Sequence, residues 1–233
     1  AGSTMLSPLT TLLADMVNAG STVAEAQAKL GTALGLILPA GIDLTSYDPL
    51  AVIVPDSGGT SPAPTQQEIA AALDIQAKTL AVANLLITGA AALQGAVASG
   101  QAVSAAAAGS AVLAALVNHI AASNGAVDLT QTETVATVLN SAAADTSIAN
   151  SLEATKKTDA IAATSSVLAT ANQTIEAATN AAAAAASPTD RFASLSSAVA
   201  VQSVIQGDVS DQLAQGTTAS LPTDVNALSA LIG

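Results

Sequence analysis

At 233 residues the chain has room for one large domain or two small ones and can bury a sizeable core. Five basic residues (Lys29, Lys78, Lys156, Lys157, Arg191) face seventeen acids, a formal net charge of −12, so the surface repels nucleic-acid phosphates and anionic headgroups and no nucleic-acid partner is expected. With no cysteine there are no disulfides, thiolate nucleophiles or Cys-ligated metals, and with aromatics reduced to Tyr47 and Phe192 the core must come from alanine and modest aliphatic side chains in closely approaching helices.

Ser7-Pro8 opens a first helix that carries Leu9, Leu12, Leu13 and Met16-Val17 to a stop at Asn18-Ala19-Gly20. Thr22-Val23-Ala24-Glu25 is a capping box, and its helix runs through Leu30 and Leu34 to about Gly35. Residues 36–64 form a Pro/Gly-rich connector, with one short helix near Tyr47–Val52 and a strand-like alternation at Ala51–Val54. The expected organisation is an N-terminal helical hairpin and short helix over 1–54, a linker over 55–64 and a helical bundle over 65–233.

Thr65-Gln66-Gln67-Glu68 is a second capping box, followed by Ile69, Leu73, Leu80 and Ile87 on one stripe. A turn near Gly100 leads into a helix with Val103, Leu113, Leu116-Val117 and Ile120, ending at Asn124-Gly125. Thr130-Gln131-Thr132-Glu133 reads as a third capping box, before Val135, Val138-Leu139 and Ala142. Residues 151–186 keep a seven-residue ladder of Ala154, Ile161, Leu168, Ile175 and Ala182, the signature of one long helix packed at a shallow angle. Ser187-Pro188 starts a further helix with Phe192, Leu195, Val199 and Ile205, and a short one begins near Pro222. The fold class expected is all-α, an Ala-rich antiparallel bundle. The resemblance between Gly41–Thr45 and Gly125–Thr130 reads as two similar helix entries, without a long internal repeat.

Catalytic chemistry finds little purchase. His119 is the only histidine, on an apolar helix, which excludes multi-His metal sites; packing at a bundle end suits it better than cofactor ligation, since bulky pocket walls are lacking. No Gly-x-Ser-x-Gly elbow, phosphate-binding loop with its lysine or dinucleotide fingerprint occurs. Asp43, Asp48 and Asp56 could bring oxygen ligands together for calcium, but they lack the Asp-x-Asp-x-Asp-Gly run and serve equally as turn and cap residues. The expectation is therefore a chain that is not an enzyme, with no catalytic, cofactor or metal residues.

From Thr79 to Val127 there is no Asp, Glu, Lys or Arg, long enough for a membrane-crossing hairpin. The stretch is rich in Ala, Ser, Gly, Gln and Asn and has neither basic flanks nor aromatic belts, so a hairpin buried in a bundle is expected instead. The polar, small start Ala1-Gly2-Ser3-Thr4 does not read as a signal peptide, which suggests a mature form or an excised piece.

Ser7-Pro8-Leu9-Thr10-Thr11-Leu12-Leu13, then Ala33-Leu34-Gly35-Leu36, then Asp43-Leu44-Thr45-Ser46-Tyr47-Asp48-Pro49-Leu50 resemble a helical module of very large secreted bacterial surface proteins, adhesin-like and of the calcium-repeat type. The resemblance covers about residues 5–54. It implies an extracellular or cell-surface setting, a structural or interaction role, and a protein or matrix partner; it carries over no ligand residue. Two other roles stand beside it: a carrier that holds a hydrophobic small molecule between Ala-lined helices, and a protein that inserts its 79–127 hairpin into membranes.

Overall fold

The computed structural model describes residues 6–38, 41–54, 63–218, 221–222 and 225–232. Among these the chain is all-α, without a β-strand. The helices are α1 (Pro8–Asn18), α2 (Val23–Leu34), α3 (Pro49–Ile53), α4 (Gln66–Gly95), α5 (Ala105–Ala122), α6 (Thr132–Ala143), α7 (Ala154–Ala184), α8 (Pro188–Val204), α9 (Ser210–Ala214) and α10 (Val225–Ile232). A π-helical turn, Ile205–Val209, joins α8 to α9.

Most helix starts follow local chemistry. Ser7 and Thr10 cap each other at α1, and Thr22–Glu25 and Thr65–Glu68 form the reciprocal boxes at α2 and α4. Gly35 ends α2 at φ 65°, a left-handed conformation that a Cβ would strain. The expected third box does not form. Asp128 Oδ1 accepts both the Thr130 amide (2.9 Å) and the Thr130 hydroxyl (2.6 Å), so the α6 start at Gln131 has no side-chain cap. An aspartate two residues upstream outcompetes the helix for the threonine. The alternation at Ala51–Val54 likewise resolves into the end of α3.

The two longest helices, α4 and α7, form the centre. They run antiparallel: Asn84 Nδ2 donates to Asn172 Oδ1 (3.3 Å), Lys78 pairs with Glu176 (3.2 Å), and Gln66 Nε2 donates to the Ala183 carbonyl. At the opposite end Glu153 N donates to the Ala96 carbonyl (2.9 Å). The heptad ladder of α7 is buried from Ile161 through Leu168 and Ile175 to Ala182; Ala154, in the first turn, is exposed. In α4 the stripe holds for Ile69, Leu73 and Leu80, but Ile87 is 43% exposed. Its neighbours Leu85 and Thr88 take the buried positions there.

A relation between the halves emerges from this pairing. Adding 88 to a residue number carries the α4 start onto the α7 start, Thr65 onto Glu153, and Leu80-Ala81-Val82-Ala83-Asn84-Leu85-Leu86-Ile87 onto Leu168-Ala169-Thr170-Ala171-Asn172-Gln173-Thr174-Ile175. Adding 85 carries Ile42-Asp43-Leu44-Thr45 and α3 onto Val127-Asp128-Leu129-Thr130 and α6. The likeness of the two Asp-Leu-Thr stretches thus extends to a shared order of turn, short helix and long helix. The long helices cross at equivalent asparagines.

The halves diverge around that crossing. Asn172 Nδ2 donates to the Leu129 carbonyl (2.9 Å), its own half's turn, whereas Asn84 Oδ1 accepts from Gln206 Nε2 (3.0 Å) in the π turn. Beside it the Thr88 and Ser210 hydroxyls both reach the Ile205 carbonyl, at 3.4 and 2.8 Å. The C-terminal segment packs so closely that a Cβ on Gly95 would strike the Leu213 carbonyl and the Gly216 backbone. Along α8 the buried residues are Arg191, Ala198 and Val201, and Ile205 of the expected apolar series is buried at the start of the π turn, while Phe192 and Val199 of that series are 47% and 63% exposed.

Leu12 and Leu30 of the N-terminal hairpin share one hydrophobic cluster with Leu85, Leu116, Leu139, Leu168 and Leu213. The core is therefore continuous across the expected linker, of which residues 55–62 lie outside the described ones. Equivalent isoleucines provide a direct check on burial. Ile175→Ala should cost about 2–5 kcal/mol, the range for large-to-small core changes, whereas Ile87→Ala should cost under about 1 kcal/mol. Urea unfolding of the two variants measures the difference; equal losses would contradict the unequal burial of the two positions.

Candidate functional site

A concave surface lies beside the connector, between the start of α1, the turn before α3, and α4. The turn is built by Asp43, whose Oδ1 accepts the Thr45 amide (2.9 Å) and hydroxyl (2.7 Å). Gln27 of α2 then clamps it, donating to the Ile42 carbonyl (2.8 Å) and accepting from Leu44 N (3.0 Å). This seats Leu44 in the core at 4% exposure. Asp48 Oδ1 accepts from Leu50 N (2.9 Å) and Ala51 N, which starts α3. Asp43 and Asp48 are thus a turn residue and a cap, the third candidate calcium ligand, Asp56, lies outside the described residues, and no group of three His, Cys, Asp or Glu side chains suited to a metal occurs among the described residues.

Between these elements is a pocket of about 220 Å³. Leu9, Leu44 and Ile75 form its floor, Tyr47 and Pro49 a wall, and the exposed Leu6 and Leu50 its lip. Burial raises the Tyr47 phenol above its ordinary value, and the nearby Glu68 and Asp48 carboxylates add to the rise. Glu68 itself is held low by the Thr65 amide and hydroxyl that it caps.

A second, polar feature spans the long-helix seam. Lys78 pairs with Glu176 at the edge of a void of about 20 Å³ that Asn172 and Thr130 also line, room for about one water. One turn before Lys78, Asp74 Oδ2 accepts from Ile37 N (3.0 Å) and ties the start of the connector to α4. Burial holds Asp74 above the usual carboxylate range, against the Ile37 bond and the Lys78 charge. Asp128 nearby goes the other way: burial pushes it up, but the Thr130 and Gln131 bonds outweigh that and hold it low.

His119 is partly buried in the last turn of α5, apart from both features. α4 and α5 are each long and apolar enough to cross a membrane by length and composition; 61% and 39% of their most apolar windows are buried in the fold. Of the residues that sequence reasoning singled out, the structure brings Asp48 and Tyr47 together at the pocket, and places Asp43 in the turn that seats its floor. Missed from the sequence were Tyr47 as a pocket wall and the Asn84–Asn172 pair. The matched octapeptides around the two asparagines were the available signal.

Compared with known proteins, the chain matches no family model, no curated relative and no solved structure.

The raised Asp74 carboxyl has a sign that can be worked out. The folded state binds its proton more tightly than the unfolded chain, so its contribution favours folding below the ordinary carboxylate value and is lost as pH rises through the raised one. At neutral pH Asp74→Asn, which keeps an oxygen acceptor for Ile37 N, should therefore raise the melting temperature. The gain should fade as pH falls through the carboxylate range. A loss of stability at neutral pH would mean that the bond from Ile37 N to the charged oxygen outweighs desolvation.

Proposed function

We propose that the chain is a non-catalytic structural and interaction module of a secreted bacterial surface or extracellular-matrix protein. The observation that carries this reading is where the acids act. Glu25, Asp43, Asp48, Glu68, Asp128, Asp145 and Glu153 all accept backbone amides at helix starts and turns. Charge in this chain locks local structure, while Thr, Ser, Gln and Asn supply the remaining polar surface. Such a body suits spacing and display, with a protein or matrix partner at a helix face or on the connector side. The resemblance of residues 5–54 to helical modules of large adhesin-like surface proteins points the same way, to an extracellular or cell-surface location.

The test is accessibility on living cells. Antibodies raised against the chain should label intact cells of the source bacterium or its extracellular matrix, and protease treatment of intact cells should remove the epitope. An epitope confined to the cytosolic fraction would overturn the reading.

One observation favours a second reading, insertion of the 79–127 hairpin into a bilayer: α4 and α5 both have the necessary length and hydropathy, and α5 is less buried than α4. Under the surface-module reading the purified protein stays with the aqueous phase when centrifuged with neutral-pH liposomes. Flotation that an aspartate at Leu86 or Leu116 abolishes would favour the hairpin instead.

A further inference from the structure

We propose that the pocket between α1, α3 and α4 binds a small neutral or cationic amphiphile, with an apolar body about the size of a cyclohexyl or phenyl ring and an amine or hydroxyl at its mouth. Its volume of about 220 Å³ exceeds the ~150 Å³ of an apolar cavity that takes up benzene. Its floor of Leu9, Leu44 and Ile75 is at most 4% exposed, so the apolar surface reaches down to the core.

The two short helices differ in how far they are buried. Leu50 of α3 has Val135 of α6 as its counterpart; Val135 is fully buried and Leu50 is 55% exposed. α6 continues to Ala143 and closes Val138, Leu139 and Ala142 into the core, whereas the five-residue α3 buries Ile53 alone. The pocket opens at the start of α3, with the apolar Leu6 and Leu50 at its lip. An exposed leucine above a core-deep apolar floor is a surface that gains by being covered.

Charge selects the headgroup. The pocket has no basic residue in its lining, Asp48 stands at its mouth, and Glu68 is near enough to raise the Tyr47 phenol. An ammonium is attracted there, a hydroxyl can exchange hydrogen bonds with the Tyr47 hydroxyl, and a carboxylate is repelled. The site stands independently of whether the module is displayed on a cell surface.

Tyr47 makes the site self-reporting, since the chain has one tyrosine and no tryptophan. The purified full chain is titrated with cyclohexylmethylamine, cyclohexylmethanol and cyclohexanecarboxylate while tyrosine emission and melting temperature are followed. The amine and the alcohol should give a saturable emission change and a concentration-dependent rise in melting temperature, with the carboxylate at least about tenfold weaker. Thr79→Phe, which fills the pocket from α4, should abolish the response with the circular dichroism spectrum retained. Gln76→Phe does the same from the preceding turn and decides the matter if the first variant fails to fold. Absence of a saturable response to all three probes, a carboxylate that binds as well as the amine, or an unchanged response in the filled variants would each overturn the proposal.

Discussion

Two long helices meeting across small side chains set the terms for the rest of this fold. With no tryptophan, and with its one phenylalanine largely at the surface, the chain cannot wedge helices apart around bulky rings. Ala81 on α4 and Ala169 and Ala171 on α7 are buried along the central helices, and the seam is narrow enough for two asparagine side chains to bond across it. A buried amide must find partners, since leaving one unpaired costs about 1–3 kcal/mol. That requirement fixes the register of α4 on α7 in a way that interchangeable alanines do not.

The remaining elements attach to this pair in two different ways. Asn172 engages the Leu129 turn, so the Asp-Leu-Thr loop of the second half sits at the crossing. Asn84 engages Gln206, and the π turn brings Ile205 and Ser210 against Thr88. In the first half the corresponding loop lies farther along α4, beside Ile75 and Thr79, held there by Gln27. One supersecondary plan is therefore used twice with different neighbours. The open pocket lies where the first half's turn and the start of α3 meet α1 and α4.

Much of this was legible in the sequence, and the reasons are local. Ser7-Pro8, Thr22–Glu25 and Thr65–Glu68 mark helix starts because the capping partners lie three residues apart and owe nothing to tertiary context. Ile161, Leu168 and Ile175 announced a buried stripe because they recur at one heptad spacing within a single unbroken helix. Signals that needed a choice between neighbours fared worse. Thr130 was available to cap α6 but had Asp128 closer to hand, and Phe192 and Val199 follow an apolar spacing on a face of α8 that is left exposed. Asn84 and Asn172 look like surface residues in Ala-rich helices, and the repeat that contains them is masked by the unmatched residues between its two conserved stretches. The pocket was illegible for a further reason: α1, the turn before α3 and α4 line it from places well separated in the sequence.

The central position of the amide pair is open to a direct measurement, a double-mutant cycle on Asn84→Ala and Asn172→Ala by urea unfolding. The two residues touch and share a network, so their effects should be non-additive, with a coupling of at least about 0.5 kcal/mol, and Asn172→Ala alone should be destabilising because it strips the buried Leu129 carbonyl of its donor. Losses that simply add, within about 0.3 kcal/mol, would show that the asparagines act separately and that α4 and α7 find their register by other means.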